Sequence, residues 1–114
     1  MAGRSVVLVS HGDAVALRLA GSCALAAAAA GDRVDVFLFG PSVPALLEAR
    51  EDADAPGALL WKARAGGGCR LLACSASVVE GRIDLTAAEA AFDAVVGWPT
   101  VLEWTRGIAD RFSF

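Results

Sequence analysis

Apolar and polar positions alternate between two periods along the chain. Ser5 to Ser10, SVVLVS, is a continuous β-branched run that stops at His11-Gly12. Such runs suit strands covered on both faces, as in parallel sheets. The next stretch, DAVALRLAGSCALAAAAAG, is dominated by Ala and Leu and predicts a helix. Asp13 stands at its N-cap and Gly31 at its C′ position. Gly21-Ser22 lies inside it at a cost in helix propensity, which close packing against a neighbour would explain. Arg33 to Phe39, RVDVFLF, predicts a second strand ended by Gly40-Pro41.

PSVPALLEAR then predicts a helix with Ser42 as its cap and Pro44 in its first turn. EDADAPG reads as a surface loop, and ALLWKARA as a further helix stopped by Gly66-Gly67-Gly68. Cys69 to Cys74 is the third strand, followed by a loop of small residues. A helix opens at Asp84, Val95 to Trp98 is a very short strand or turn, and PTVLEWTRGIA is the last helix. DRFSF closes the chain as a terminal strand.

Strands and helices alternate throughout. This predicts right-handed crossovers and a single three-layer α/β/α domain over residues 1–114, with a mainly parallel sheet. Ligands and reactive groups in such sheets collect beyond the carboxyl ends of the strands. Three loops qualify: Ser10 to Asp13, Phe39 to Ser42, and Cys74 to Ser77.

Composition narrows the function classes. Hydrophobic residues make up 56% of the 114 and charged residues 20%, enough to build a core and too apolar for a disordered chain. The net charge is −3 and the ten basic residues are scattered, so the sequence carries no footprint for nucleic acid and no basic face for a membrane surface. The Ala24 to Ala30 run is too short to span a bilayer, and the first apolar run is too short for a signal-peptide core. A cytoplasmic protein is expected.

Three cysteines are an odd number in a chain with core enough to need no staples, which favours reduced thiols. As a strand, Cys69 to Cys74 spans roughly 16 Å, too far for a disulfide unless the strand breaks. Cys23 reads as helix packing, and Cys69 as structural or partly exposed. Cys74 has two readings. It is core filler, or it is a thiol at the strand's end whose thiolate is stabilised by the N–H groups of the following turn. His11, the single histidine, is either a loop residue bonded to backbone or a proton carrier near that thiol. One histidine and no CxxC are too few for zinc, and the three glycines precede a strand rather than a helix, so they form no phosphate loop. Of Trp61, Trp98 and Trp104, an oligomer interface suits Trp61 or Trp104 as well as helix-to-sheet packing does.

The ordered set SVVLVSHGDAVALRLAGSCALA, RVDVFLFGPSV, LLACSASVVEGRI and VVGWPTVLEWTRGIADRFSF resembles the DsrE/DsrF-like family over nearly the whole length. That resemblance implies a five-stranded parallel sheet and assembly into homotrimers or hexamers, or into hetero-oligomers with related chains. It also implies a sulfur carrier whose strand-end cysteine holds a persulfide, a role that falls on Cys74 alone. No cofactor beyond the bound sulfur is expected; the partners would be sulfur donor and acceptor proteins, with no nucleic acid and no membrane. The competing expectation is a non-catalytic oligomeric module of the same fold that binds a ligand or partner at the strand-end crevice, with Cys74 inert.

Overall fold

A computed structural model describes residues 3–108 and 110–114. Five strands carry the fold: β1 (Arg4–Val9), β2 (Arg33–Leu38), β3 (Cys69–Cys74), β4 (Ala94–Val96) and β5 (Asp110–Ser113). Six helices connect them: α1 (Ala14–Ala29), α2 (Ser42–Glu48), α3 (Ala58–Ala65), α4 (Ser75–Glu80), α5 (Leu85–Ala91) and α6 (Trp98–Trp104). The sheet is parallel throughout, in the order β4-β3-β2-β1-β5.

That order distributes the helices. The chain steps in one direction from β1 to β4, and right-handed crossovers keep α1 to α5 on one face. It then returns across the opposite face through α6 to place β5 outside β1. The two apolar clusters reflect this division. One gathers Val7, Val9, Val34, Val36, Leu38 and Leu71 of the sheet with buried residues from α1 to α5, such as Leu17, Leu46, Leu60, Val78 and Ala88. The other holds Val6, Phe37, Leu72 and Val96 against Val101, with Trp104 and Ile108 at its edge. Five helices thus roof one face, and a helix of seven residues roofs the other.

The local signals hold in detail for α1. Asp13 accepts a hydrogen bond from the Ala16 N–H at 3.2 Å, and Gly31 turns the chain at φ +97°. Gly21 is buried where α1 crosses α3. A Cβ built on it would lie 2.5 Å from the Leu59 Cβ and 3.1 Å from the Leu60 amide nitrogen. The helix gives up propensity there to let α3 approach.

Three expectations change. Ser42 does not cap α2; Pro41 occupies the N-cap, and the buried Ser42 hydroxyl donates to the carbonyls of Val9 at 2.8 Å and Phe39 at 2.7 Å. Helix formation leaves that hydroxyl facing the ends of β1 and β2, so it ties the two loops together. The residues after Cys74 are not a loop but α4, a short helix fixed by burial of Val78. The final helix stops at Trp104 because the Thr105 hydroxyl bonds back to the Val101 carbonyl at 2.8 Å and Gly107 turns at φ +75°. The last residue predicted for that helix, Ala109, lies outside the described residues.

Replacing Gly21 with Ala tests the α1–α3 approach. Helix propensity alone favours Ala by about 1 kcal/mol, whereas forcing a methyl into packed backbone costs typically about 1–3 kcal/mol. Urea unfolding should show Gly21→Ala less stable than wild type; a stabilised variant would show that the two helices have room to separate.

Candidate functional site

The carboxyl ends of the strands meet in an interlocked set of loops. Gly12 lies so close to the β2–α2 turn that a Cβ there would sit 2.6 Å from the Pro41 carbonyl oxygen. The Gly40 N–H donates to the Ser77 hydroxyl at 2.8 Å, which fastens that turn to the first turn of α4. The Ser10 N–H donates to the Phe114 carbonyl at 2.9 Å, which holds the end of β5 beside β1.

Cys74 stands where this arrangement divides. It ends β3 and is paired in register with Val96 of β4. From Cys74 the chain leaves through α4 to one face of the sheet; from Gly97 it leaves through α6 to the other. Adjacent strands whose exits diverge in this way leave a crevice between them, the switch point at which open α/β sheets place their ligands. The lining is small: a Cβ on Gly97 would meet the Ser75 hydroxyl at 3.6 Å. Cys74 is also the N-cap residue of α4, in extended conformation, and no side chain caps the helix there.

The thiol is 5% exposed, and the register explains why. Alternation along β3 turns Arg70, Leu72 and Cys74 to the α6 face. The same alternation along β2 turns Asp35, Phe37 and Phe39 to that face. Leu38 pairs with Ala73, so Phe39 flanks Cys74 from the β2 side. Trp98, which follows β4 on the other side, stacks on Phe39 with ring centroids 4.7 Å apart and an interplanar angle of 13°. The two rings reach each other across the end of β3 and so roof the face to which Cys74 points. Trp98 is itself 55% exposed, so solvent lies directly beyond the roof. Cys74 belongs to neither apolar cluster.

His11 is exposed at the same rim, at the end of β1, and its Nδ1 lies 3.2 Å from the Ser10 hydroxyl. β2 separates β1 from β3, which puts the two backbones about 10 Å apart. No hydrogen bond joins His11 to Cys74 among the described residues.

All three cysteines are free. Cys69, at the opposite end of β3, is buried, and its thiol is pushed up to about 11 by desolvation first and then by Asp93 and Asp35. Cys23 is half-buried against the larger cluster, and burial raises its pKa as well. Trp61 and Trp104 have intramolecular roles. The Trp61 indole N–H donates to the Leu46 carbonyl at 3.2 Å and its ring stacks on Phe92, while Trp104 lies under the Arg70 guanidinium. The exposed tryptophan is Trp98, not either of the two the sequence suggested for an interface. Among the described residues no three metal-ligating side chains come together, and no helix is long and apolar enough to cross a membrane.

A cavity lies at the other end of the sheet. It measures about 350 Å³ and is lined by Arg4, Arg33, Asp35, Cys69 and Arg70 with neighbouring backbone. Basic residues scattered along the sequence are therefore gathered in space by strand register. Cys69, read from the sequence as the first residue of the third strand after three glycines, lies on this rim, whereas the gathering of Arg4, Arg33 and Arg70 beside it has no signal in the sequence pattern.

In comparisons with known proteins, no family model and no curated protein matches this sequence.

Two measurements test this geometry. Breaking an aromatic stack costs about 0.5–1.5 kcal/mol, so Trp98→Ala should raise the alkylation rate of native Cys74 roughly 2- to 13-fold while leaving Cys69 unchanged. An unchanged Cys74 rate would show that something other than the indole covers the sulfur. For Cys69 the folded state holds its proton above the pH at which the unfolded thiol releases it. Its contribution to stability is therefore full below about pH 9 and is lost as pH rises toward about 11. With no tyrosine and one lysine in the chain, few other groups obscure this window. Urea titrations across it should show a shallower alkaline loss for Cys69→Ala than for wild type.

Proposed function

We propose that the protein is a sulfur carrier in which Cys74 accepts and passes on sulfur as a persulfide. The observation that supports this most is the placement of Cys74 at the switch point, at the N-cap of α4, with solvent just beyond the Phe39–Trp98 stack that covers it. The sequence resemblance to the DsrE/DsrF-like family points to the same residue.

The step balances without an added oxidant. The Cys74 thiolate attacks the terminal sulfur of a donor persulfide, R–S–SH. A bond forms between Cys74 Sγ and that sulfur as the donor's S–S bond breaks, leaving Cys74–S–SH and the donor thiolate. Transfer to an acceptor thiolate repeats the exchange in reverse roles. His11, the single imidazole in the chain and exposed at the same rim, stands one strand away across β2, and the exchange balances without it. Trp98 leaves its stack on Phe39 during each exchange, at a cost near 1 kcal/mol, small enough for frequent opening. The carrier assembles with copies of itself or with related chains, as trimers or hexamers, in a reducing cytoplasmic compartment where its three thiols stay free.

A second reading is favoured by the 5% exposure of Cys74: an oligomeric binding module of the same fold in which the thiol is inert. Intact-mass measurement after incubation with a small-molecule persulfide donor separates the two. The carrier gains one sulfur atom on wild type and none on Cys74→Ser, and loses it to a thiol acceptor. A wild-type protein that stays unmodified, or a Cys74→Ser variant that gains the same mass, leaves the module as the surviving reading.

A further inference from the structure

The cavity at the amino end of the sheet is independent of the sulfur chemistry; the length of β3, roughly 16 Å, separates it from Cys74. Its charge is the feature to explain. Arg4 and Arg33 are directly paired in register on β1 and β2, and alternation places both on the α6 face with Asp35 and Arg70. Like charges directly opposite on one face of a sheet are destabilising. The pairing persists although one arginine would satisfy Asp35. Arg70 already does so with two hydrogen bonds, 2.8 and 3.0 Å.

The remaining contacts hold the guanidinium groups in place. Arg4 reaches the second Asp35 oxygen at 3.4 Å and donates to the Trp104 carbonyl at 3.2 Å. Arg70 also lies over the Trp104 ring at 4.9 Å. The Arg33 side chain has no hydrogen-bond or ion-pair partner among the described residues. Three guanidinium groups face one carboxylate across the cavity, leaving two positive charges in a protein whose net charge is −3. Asp32, next to Arg33 in the chain, does not cancel them, because it accepts the Ser5 hydroxyl at 2.8 Å on the opposite face of the sheet.

We propose that this cavity binds a doubly charged phosphate group, either inorganic phosphate or a small phosphomonoester. Arg33 is the free ligand, and Arg4 and Arg70 are held in position by Asp35 and Trp104. Guanidinium groups present paired N–H donors that match phosphate oxygens. The volume, about 350 Å³, lies at the small-molecule end of the range for ligand pockets.

Isothermal titration at low ionic strength, with inorganic phosphate in one arm and glycerol 3-phosphate in the other, tests it. Wild type should bind at least one. Arg33→Ala removes an exposed side chain with no hydrogen-bond or ion-pair partner among the described residues, so the fold should survive. It should weaken binding roughly tenfold or more, as loss of a charge-assisted contact predicts, and Arg33→Lys should recover part of the loss. Arg18→Ala, which removes the same charge from the exposed side of α1 on the other face, should bind as wild type does. Equal affinity in the two arms assigns the free ion, and tighter glycerol 3-phosphate binding assigns a phosphomonoester. No binding in either arm at millimolar concentration overturns the proposal, as does equal weakening in Arg33→Ala and Arg18→Ala.

Discussion

Asp35 is a carboxylate in the middle strand of a parallel sheet, 8% exposed. Burying such a group alone costs several kcal/mol, and removing one partner of a buried pair is strongly destabilising. Its countercharges come from both neighbouring strands, Arg4 on β1 and Arg70 on β3. The same two arginines engage Trp104 at the end of α6. One buried charge therefore fixes the register of three strands and seats the one helix that covers that face.

The two faces of the sheet then solve different problems. Toward α1 to α5 the side chains are aliphatic and the packing is close, to the point that Gly21 is needed at the crossing of α1 and α3. Toward α6 there is less helix to cover the strands, and polarity is graded along them. Arginines and Asp35 occupy the amino end, Phe37 and Leu72 the middle, and Phe39 with Trp98 the carboxyl end. Chemistry can reside at both ends of this thinly covered face because neither end is sealed by a second layer of helices.

Much of this was legible in the sequence. The period of apolar residues placed four strands, left β4 open between strand and turn, and placed most helix boundaries, because β-branched runs and Asp or Gly caps act locally. Cys74 could be placed at a strand end for the same reason. What stayed hidden depended on strand order. No periodicity says that β1 and β3 flank β2, so neither the separation of His11 from Cys74 nor the meeting of Arg4, Arg33 and Arg70 could be read. The roof over Cys74 was equally hidden, since Phe39 and Trp98 are far apart in the chain and meet only because β3 runs between their strands. The helix after Cys74 was missed because SASVVE has weak local propensity and is stabilised by burying Val78.

The placement of the three indoles makes the molecule its own optical reporter. With no tyrosine in the chain, ultraviolet emission arises almost wholly from tryptophan. Each ring senses a different region: Trp61 the helical layer beside Phe92, Trp98 the mouth above Cys74, and Trp104 the guanidinium of Arg70. Single-tryptophan versions would thus give separate fluorescence channels for the two ends of the sheet, with no extrinsic dye attached at either.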